Sequence, residues 1–307
     1  GSPALTTNEG EVTNNGFEIV LNGVPVQTKN FLFKTGINFS RNRNYIQSLG
    51  GYAEVYPLAD IWGLNGPAMA LREGDEYGTI YGYDYVYHEN GQPIVNEEGT
   101  KYLITDTRVP IGNASPDFLA GWQMEFSYKG FRLGTLVDTK WGGDIYCGSY
   151  VINLQTGQSP ETLLEREGGG LPYTDPDGNT STSGVILDGV YADGTPNDQV
   201  VHYYYKYLPN AGGWGKFLST PGVIENSWVK MREISLSYTI PYSLVEKTKV
   251  FQNLVLSVVG RDLFYFYSSL PDKINPEGLM GSGNAQGFEW ASLPSTRSFT
   301  FGISASF

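Results

Sequence analysis

The sequence predicts an all-β fold, and within that class an antiparallel transmembrane β-barrel segment of about seven strands. Two observations carry the prediction. Stretches of roughly ten residues alternate apolar with small or polar side chains at a period of two, which is the spacing of a strand whose faces meet different media. The connections between these stretches run short, long, short, long, short, long. In addition, no apolar run approaches the roughly 18 residues of a membrane-spanning helix.

Composition sets the bounds. The chain has 307 residues, with 14% aromatic side chains and 39 glycines, a mixture that suits strands and turns. The formal charge of −12 and the lack of any Lys/Arg run argue against nucleic acid as a partner. A single cysteine, Cys147, excludes an intrachain disulfide and a cysteine-rich metal site. Gly1-Ser2-Pro3 opens into polar residues without a leader pattern, so an exported protein would carry its signal elsewhere.

In chain order, Phe17, Ile19 and Leu21 alternate with Glu18, Val20 and Asn22, and a turn follows at Asn22-Gly23 and Pro25. Phe31, Phe33, Thr35, Ile37 and Phe39 continue the alternation, giving a hairpin of 12–21 with 30–44. Residues 46–115 lose the pattern. The alternating Tyr81, Tyr83, Tyr85 and Tyr87, then Ile94-Val95 and Tyr102-Leu103-Ile104, predict a small hairpin inside this long loop.

Alternation returns at Phe118, Ala120, Trp122, Met124, Phe126 and Tyr128. It turns at Lys129-Gly130 and runs back through Phe131, Leu133, Thr135 and Val137. Residues 139–226 form a second long loop, with a helical turn expected over 161–167. Ile234, Leu236, Tyr238 and Ile240 mark the next strand, which Pro241 stops, and a helical turn is expected at 243–248. Leu254, Leu256 and Val258 continue to about Phe264, and residues 265–295 form the third long loop. In residues 298–307, Phe299, Phe301, Ile303, Ala305 and Phe307 share one face, and Ser298, Thr300, Gly302, Ser304 and Ser306 share the other.

One such strand fits a soluble sandwich as well as a barrel. The connectors separate the two. Soluble sandwiches have short connections at both ends, with a median of about 4–6 residues, whereas outer-membrane barrels have short turns on one side of the membrane and long loops on the other. The polar face carries Lys34, Asn38, Gln123, Glu125, Ser127, Arg132, Ser235, Ser237 and Thr239. A wet lumen accepts these groups, while a dry core would leave several unpaired at about 1–3 kcal/mol each. Single-chain bacterial barrels have an even strand number of about eight or more, so an odd seven reads as part of a larger barrel.

Several segments resemble one family. The run Asn226-Ser227-Trp228-Val229-Lys230-Met231-Arg232-Glu233-Ile234-Ser235-Leu236-Ser237-Tyr238-Thr239-Ile240-Pro241 is similar to a late-barrel motif of SusC/RagA-type TonB-dependent transporters. Gly260-Arg261-Asp262-Leu263-Phe264 and Asn275-Pro276-Glu277 resemble motifs of the same family, which commonly has Asn at the position of Asp262 and Asp at that of Asn275. Residues 295–302, 111–118 with 126–131, and 14–18 resemble further strands of the family, in its order.

The resemblance implies that 1–307 is the C-terminal part of a 22-stranded barrel in the bacterial outer membrane. It implies import of oligosaccharides or peptides, driven by TonB and capped by a SusD-like surface lipoprotein. The plug, the TonB-contacting segment and the remaining barrel are expected outside this chain, which alone should transport nothing.

No catalytic constellation stands out, so no enzyme activity and no cofactor are expected. His88 and His202 are far apart in loops, and a lone His without placed partners supports no mechanism. Asp175, Asp177 and Asn179 offer alternate oxygens as calcium loops do, but the full spacing is missing and an Asx turn is the favoured reading. The stronger candidates are loop aromatics at or beyond the expected outer rim: Trp141, Tyr203, Tyr204, Tyr205, Trp214, Tyr265 and Tyr267. A flat apolar ring with a polar edge suits contact with a sugar or with a protein lid, and equally suits an interfacial girdle. Phe299, Phe301, Ile303 and Phe307 are expected to carry barrel closure and the insertion signal. The alternatives are a soluble all-β carbohydrate-binding module, which leaves the alternating turn lengths unexplained, and a β-rich hydrolase, which needs paired carboxylates the sequence does not locate.

Overall fold

Seven strands form one antiparallel sheet in which spatial order equals sequence order. The structure is a computed structural model and describes residues 10–51, 54–166, 168–207, 216–281 and 283–307. The strands are β1 (Glu11–Gln27), β2 (Phe31–Ser48), β3 (Phe118–Tyr128), β4 (Phe131–Trp141), β5 (Trp228–Thr239), β6 (Asn253–Ser268) and β7 (Ser298–Ser306). Strands β1, β2 and β6 extend beyond the alternating cores read in the sequence, into residues that lack the strict apolar/polar pattern.

The register shows why these sequences pair. Phe31, Tyr128, Phe131, Tyr238, Leu256 and Ile303 form one lateral row across β2 to β7. Phe33, Phe126, Leu133, Leu236, Val258 and Phe301 form the next. Neighbouring rows lie on the opposite face: Lys34, Glu125, Gly134 and Ser235 in one, Ser127, Arg132, Ser237 and Ser257 in another. A one-residue slip in any pairing would exchange the two faces, so the pattern fixes the register. The tightest link is Lys129-Gly130, with φ of 46° and 90°, the two positive values that a two-residue hairpin needs to match strand twist.

The apolar rows are open. Phe301 is 81% exposed, Ile303 75% and Leu21 63%, and Trp122, Leu236 and Leu256 are also exposed. No second sheet covers them among the described residues, which removes the soluble sandwich. The buried core lies instead in the long connections. Ile61, Met69, Ile80, Ala114, Tyr146, Val151 and Phe288 cluster there, around a four-stranded sheet of 55–60, 68–72, 79–82 and 109–113 and a three-stranded one of 144–147, 223–225 and 288–289.

The smaller expectations have counterparts. Tyr85 bridges Ile104 and Tyr87 bridges Pro93 in the small hairpin. A 3-10 turn covers Pro160–Glu165, and helical turns cover Tyr242–Val245 and Glu246–Thr248. An α-helix covers Gly148–Gln155, inside the stretch that the sequence predicts to be a long irregular loop.

Candidate functional site

The densest polar arrangement sits on the polar face of the sheet where β4, β5 and β6 meet. Two register shifts create it. The pairings of β5 slip between Met231 and Glu233: Arg232 is an extra residue against β4, whereas on the other side Asp262 and Leu263 of β6 face the single Arg232, with Asp262 at φ 55°. A bulge of this kind re-aims side chains. Lys230 Nζ lies 2.7 Å from Asp262 Oδ1 and also pairs with Glu277 Oε2. Arg232 reaches Asp138 Oδ2 at 2.6 Å, Asp262 Oδ1 at 2.7 Å and Glu277 Oε1 at 2.6 Å.

The Lys230 side chain is 2% exposed, and two carboxylates and an aromatic face surround its ammonium, the partners that a buried cation needs. Its ammonium stands 4.9 Å from the Tyr265 ring, and Tyr265 donates its hydroxyl to Glu277 Oε2 at 3.0 Å. Trp228 stacks edge-on against Tyr265 and lies under the Arg232 guanidinium. Glu277 comes from the connection after β6, so the cluster ties that loop to the sheet. Burial pushes the Glu277 carboxyl up, and the hydrogen bonds from Arg232 and Lys230 outweigh it, leaving its pKa below the ordinary glutamate value. Lower on the same face, Lys34 and Arg132 flank Glu125 at 3.9 and 3.6 Å, and Arg261 pairs with Glu233 at 2.8 Å.

The sequence candidates do not converge on this cluster as a group. Tyr265 is in it. Trp141 and Tyr267 stack on each other at 5.7 Å, at the end of β4 and on β6. Tyr203 packs at the edge of a small core of Val95, Val185, Leu187 and Val201, while Tyr204 and Tyr205 are exposed beside it. Trp214 lies outside the described residues. Phe299, Phe301 and Ile303 stand on the open apolar face of β7, and Phe307 meets Phe251 at 5.3 Å.

Asp175 spends its oxygens on its own hairpin, accepting from the Asp177 and Asn179 backbone and from the Asn179 side chain. That side-chain bond leads in holding its carboxyl below the usual range. No group of three metal-binding side chains is found among the described residues. His202 packs on Tyr173 and Tyr203, and burial lowers its pKa. Cys147 is buried and its thiol is pushed up, first by burial.

Comparison with known proteins decides the family. No family model matches the chain. The TonB-dependent receptor P3 of Formosa agariphila is 26% identical over 332 residues, covering 100% of this chain and 30% of the relative. SusC of Bacteroides thetaiotaomicron is 31% identical over 144 residues, covering 41% of this chain and 14% of SusC. This chain is a barrel segment of a SusC/RagA-type TonB-dependent receptor.

Among solved structures, the RagAB peptide transporter superposes on the receptor segment with a TM-score of 0.58 at 17% identity, over 97% of the segment and 30% of that chain. The closed-closed state of the RagAB peptide importer gives 0.59 at 18% identity. At such identity the superposition speaks for the fold. The receptor segment thus spans about 30% of the length of the P3 receptor and of the RagAB chain, and its place is the bacterial outer membrane. The motif residues Lys230, Arg232, Asp262 and Glu277, quoted above for the resemblance, are the ion cluster. The sequence offers their names but not their meeting, because a bulge and a returning loop bring them together.

Proposed function

We propose that this segment forms part of the lumen wall, the extracellular loops and the closing strand of an outer-membrane importer of oligosaccharides or peptides. The observation that carries the reading is a single seven-stranded sheet with one exposed apolar face and one face of ion pairs and hydroxyls. A bilayer accepts the first face and a water-filled pore accepts the second. Among the described residues, strands β1 and β7 each have one neighbour, and both keep a long open edge. Such edges invite further pairing, here with the rest of a 22-stranded barrel.

The short connections fall at the periplasmic end and the long ones outside, where residues 46–115, 139–226 and 265–295 meet substrate and a SusD-like lipoprotein lid. TonB acts through a plug that belongs to the rest of the protein. The exposed aromatics Trp141, Tyr204, Tyr205 and Tyr267, with Tyr203, Trp214 and Tyr265, serve as ligand or lid contacts, and Phe299, Phe301, Ile303 and Phe307 as the insertion signal.

Deleting 298–307 from the full-length protein tests this. Folded barrel should vanish from the outer membrane, read as loss of the heat-modifiable band on gels. Normal amounts of folded, membrane-embedded protein would overturn the reading.

A further inference from the structure

Two tryptophans outside the rim candidates form the most deliberate aromatic surface among the described residues. Trp62 belongs to the first long connection and Trp290 to the third. Their rings meet edge-to-face with centroids 4.9 Å apart, and Phe217 of the second connection packs on Trp62 at 4.9 Å. All three loops therefore converge here. Behind the pair, Tyr146 meets Trp62 edge-on at 5.6 Å and is itself fully buried. The rigid loop core thus backs the pair, yet Trp62 remains 38% exposed and Trp290 37%.

The backbone is strained to hold both rings. Trp62 takes φ 64°, and Ala291, directly after Trp290, takes φ 47°. Neither is a residue that adopts the left-handed region cheaply. A Cβ on Gly148 would lie 2.3 Å from the Trp290 ring, so that ring rests on bare backbone. Glu289, fully buried, fixes the approach to Trp290 by accepting from the hydroxyls of Ser149 and Ser292 and from both of their backbone amides.

Beside Trp62, Arg108 donates through Nη2 to the Gly63 carbonyl at 2.6 Å, while its buried Nε has no partner. Among the described residues no carboxylate lies within salt-bridge reach of this guanidinium. Capping the core would need no open rings, no left-handed Trp62 and no underused guanidinium.

We propose, on the basis of the importer reading, that Trp62 and Trp290 are a stacking site for a pyranose ring of a neutral oligosaccharide, with Arg108 donating to its hydroxyls. The axial C–H face of a pyranose lies flat on an indole, and ring hydroxyls take the edge donors. Acidic side chains outnumber basic ones in each of the three long loops, which works against sulfated or uronate chains.

The test uses the full-length protein in detergent and calorimetric titration with cellohexaose, maltohexaose, laminarihexaose, xylohexaose and hexaalanine. At least one hexasaccharide should bind, shifting tryptophan emission, and Trp290→Ala should weaken it at least tenfold. Trp62→Phe and Trp290→Phe, which keep the packing, should each weaken it less than Trp290→Ala. Binding of no saccharide, binding of hexaalanine alone, or saccharide affinity unchanged in both Trp62→Ala and Trp290→Ala would overturn the site. Membrane fractionation separates this from the parent reading: a protein in the outer membrane that fails these titrations loses only the sugar site, while one absent from that membrane loses the importer reading.

Discussion

Placing arginine on adjacent residues of β3 sets the two faces against each other. This strand has 11 residues. At about 3.4 Å per residue and a tilt near 40° it rises roughly 28 Å, slightly more than the apolar band of about 25 Å. Trp122, fifth from its start, therefore sits near the bilayer midplane. It lies in the apolar row with Leu21, Ile37 and Val137, donates to Thr35 Oγ1 at 2.9 Å and is 45% exposed. Gln123 points the other way, beside Gly36.

Trp122→Arg should cost about 2–4 kcal/mol for the cation at the midplane, or a factor of roughly 30 to 900 in the folded population. Gln123→Arg should cost about 1 kcal/mol or less, since it joins the polar face that already holds Lys34 and Glu125. Refolding of both full-length variants into vesicles, followed by urea titration and gel migration, gives the difference. Equal costs for the two, or a larger cost for Gln123→Arg, would refute the assignment of faces.

Three further outcomes follow from the ion cluster and the hairpin. Lys230→Ala leaves Asp262 and Glu277 with Arg232 as their one remaining cation among the described residues and should destabilise by about 3–5 kcal/mol, toward the lower figure because the carboxylates are about a third exposed, as read from the gel-shift temperature. Glu277 has a folded pKa below its ordinary 4.5, so its contribution is complete above that value and fades as pH falls through the lower folded value. Protease cutting of 269–297 should accordingly stay constant from neutral pH down to about 4.5 and rise only below it, with that rise absent in Glu277→Gln. Asp175→Ala should leave calcium affinity unaltered and loosen the 171–186 hairpin by less than about 1 kcal/mol, as followed by hydrogen exchange.

The sheet was legible because its determinants are local. Alternation at Phe118–Tyr128 and a Lys129-Gly130 turn need no distant information. The loop body was opaque for the opposite reason. Residues 144–147 pair antiparallel with 223–225 and parallel with 288–289, across long stretches of chain, and each strand is too short to display a period. The helix over Gly148–Gln155 begins at Cys147 without a side-chain cap, so no start signal marked it. The ion cluster depends on Arg232 being an extra residue, which breaks the period that sequence reading relies on. Nothing near Trp62 or Trp290 alternates, and their significance lies in a contact between residues more than two hundred apart.

The decisive measurement is a nitroxide scan along 298–306 of the full-length protein in a bilayer, comparing collision with oxygen against collision with a water-soluble nickel complex. Positions 299, 301, 303 and 305 should favour oxygen, and 298, 300, 302, 304 and 306 should favour nickel, in strict alternation. An even profile, or one with the two sets exchanged, would contradict a strand with lipid on one side and a pore on the other.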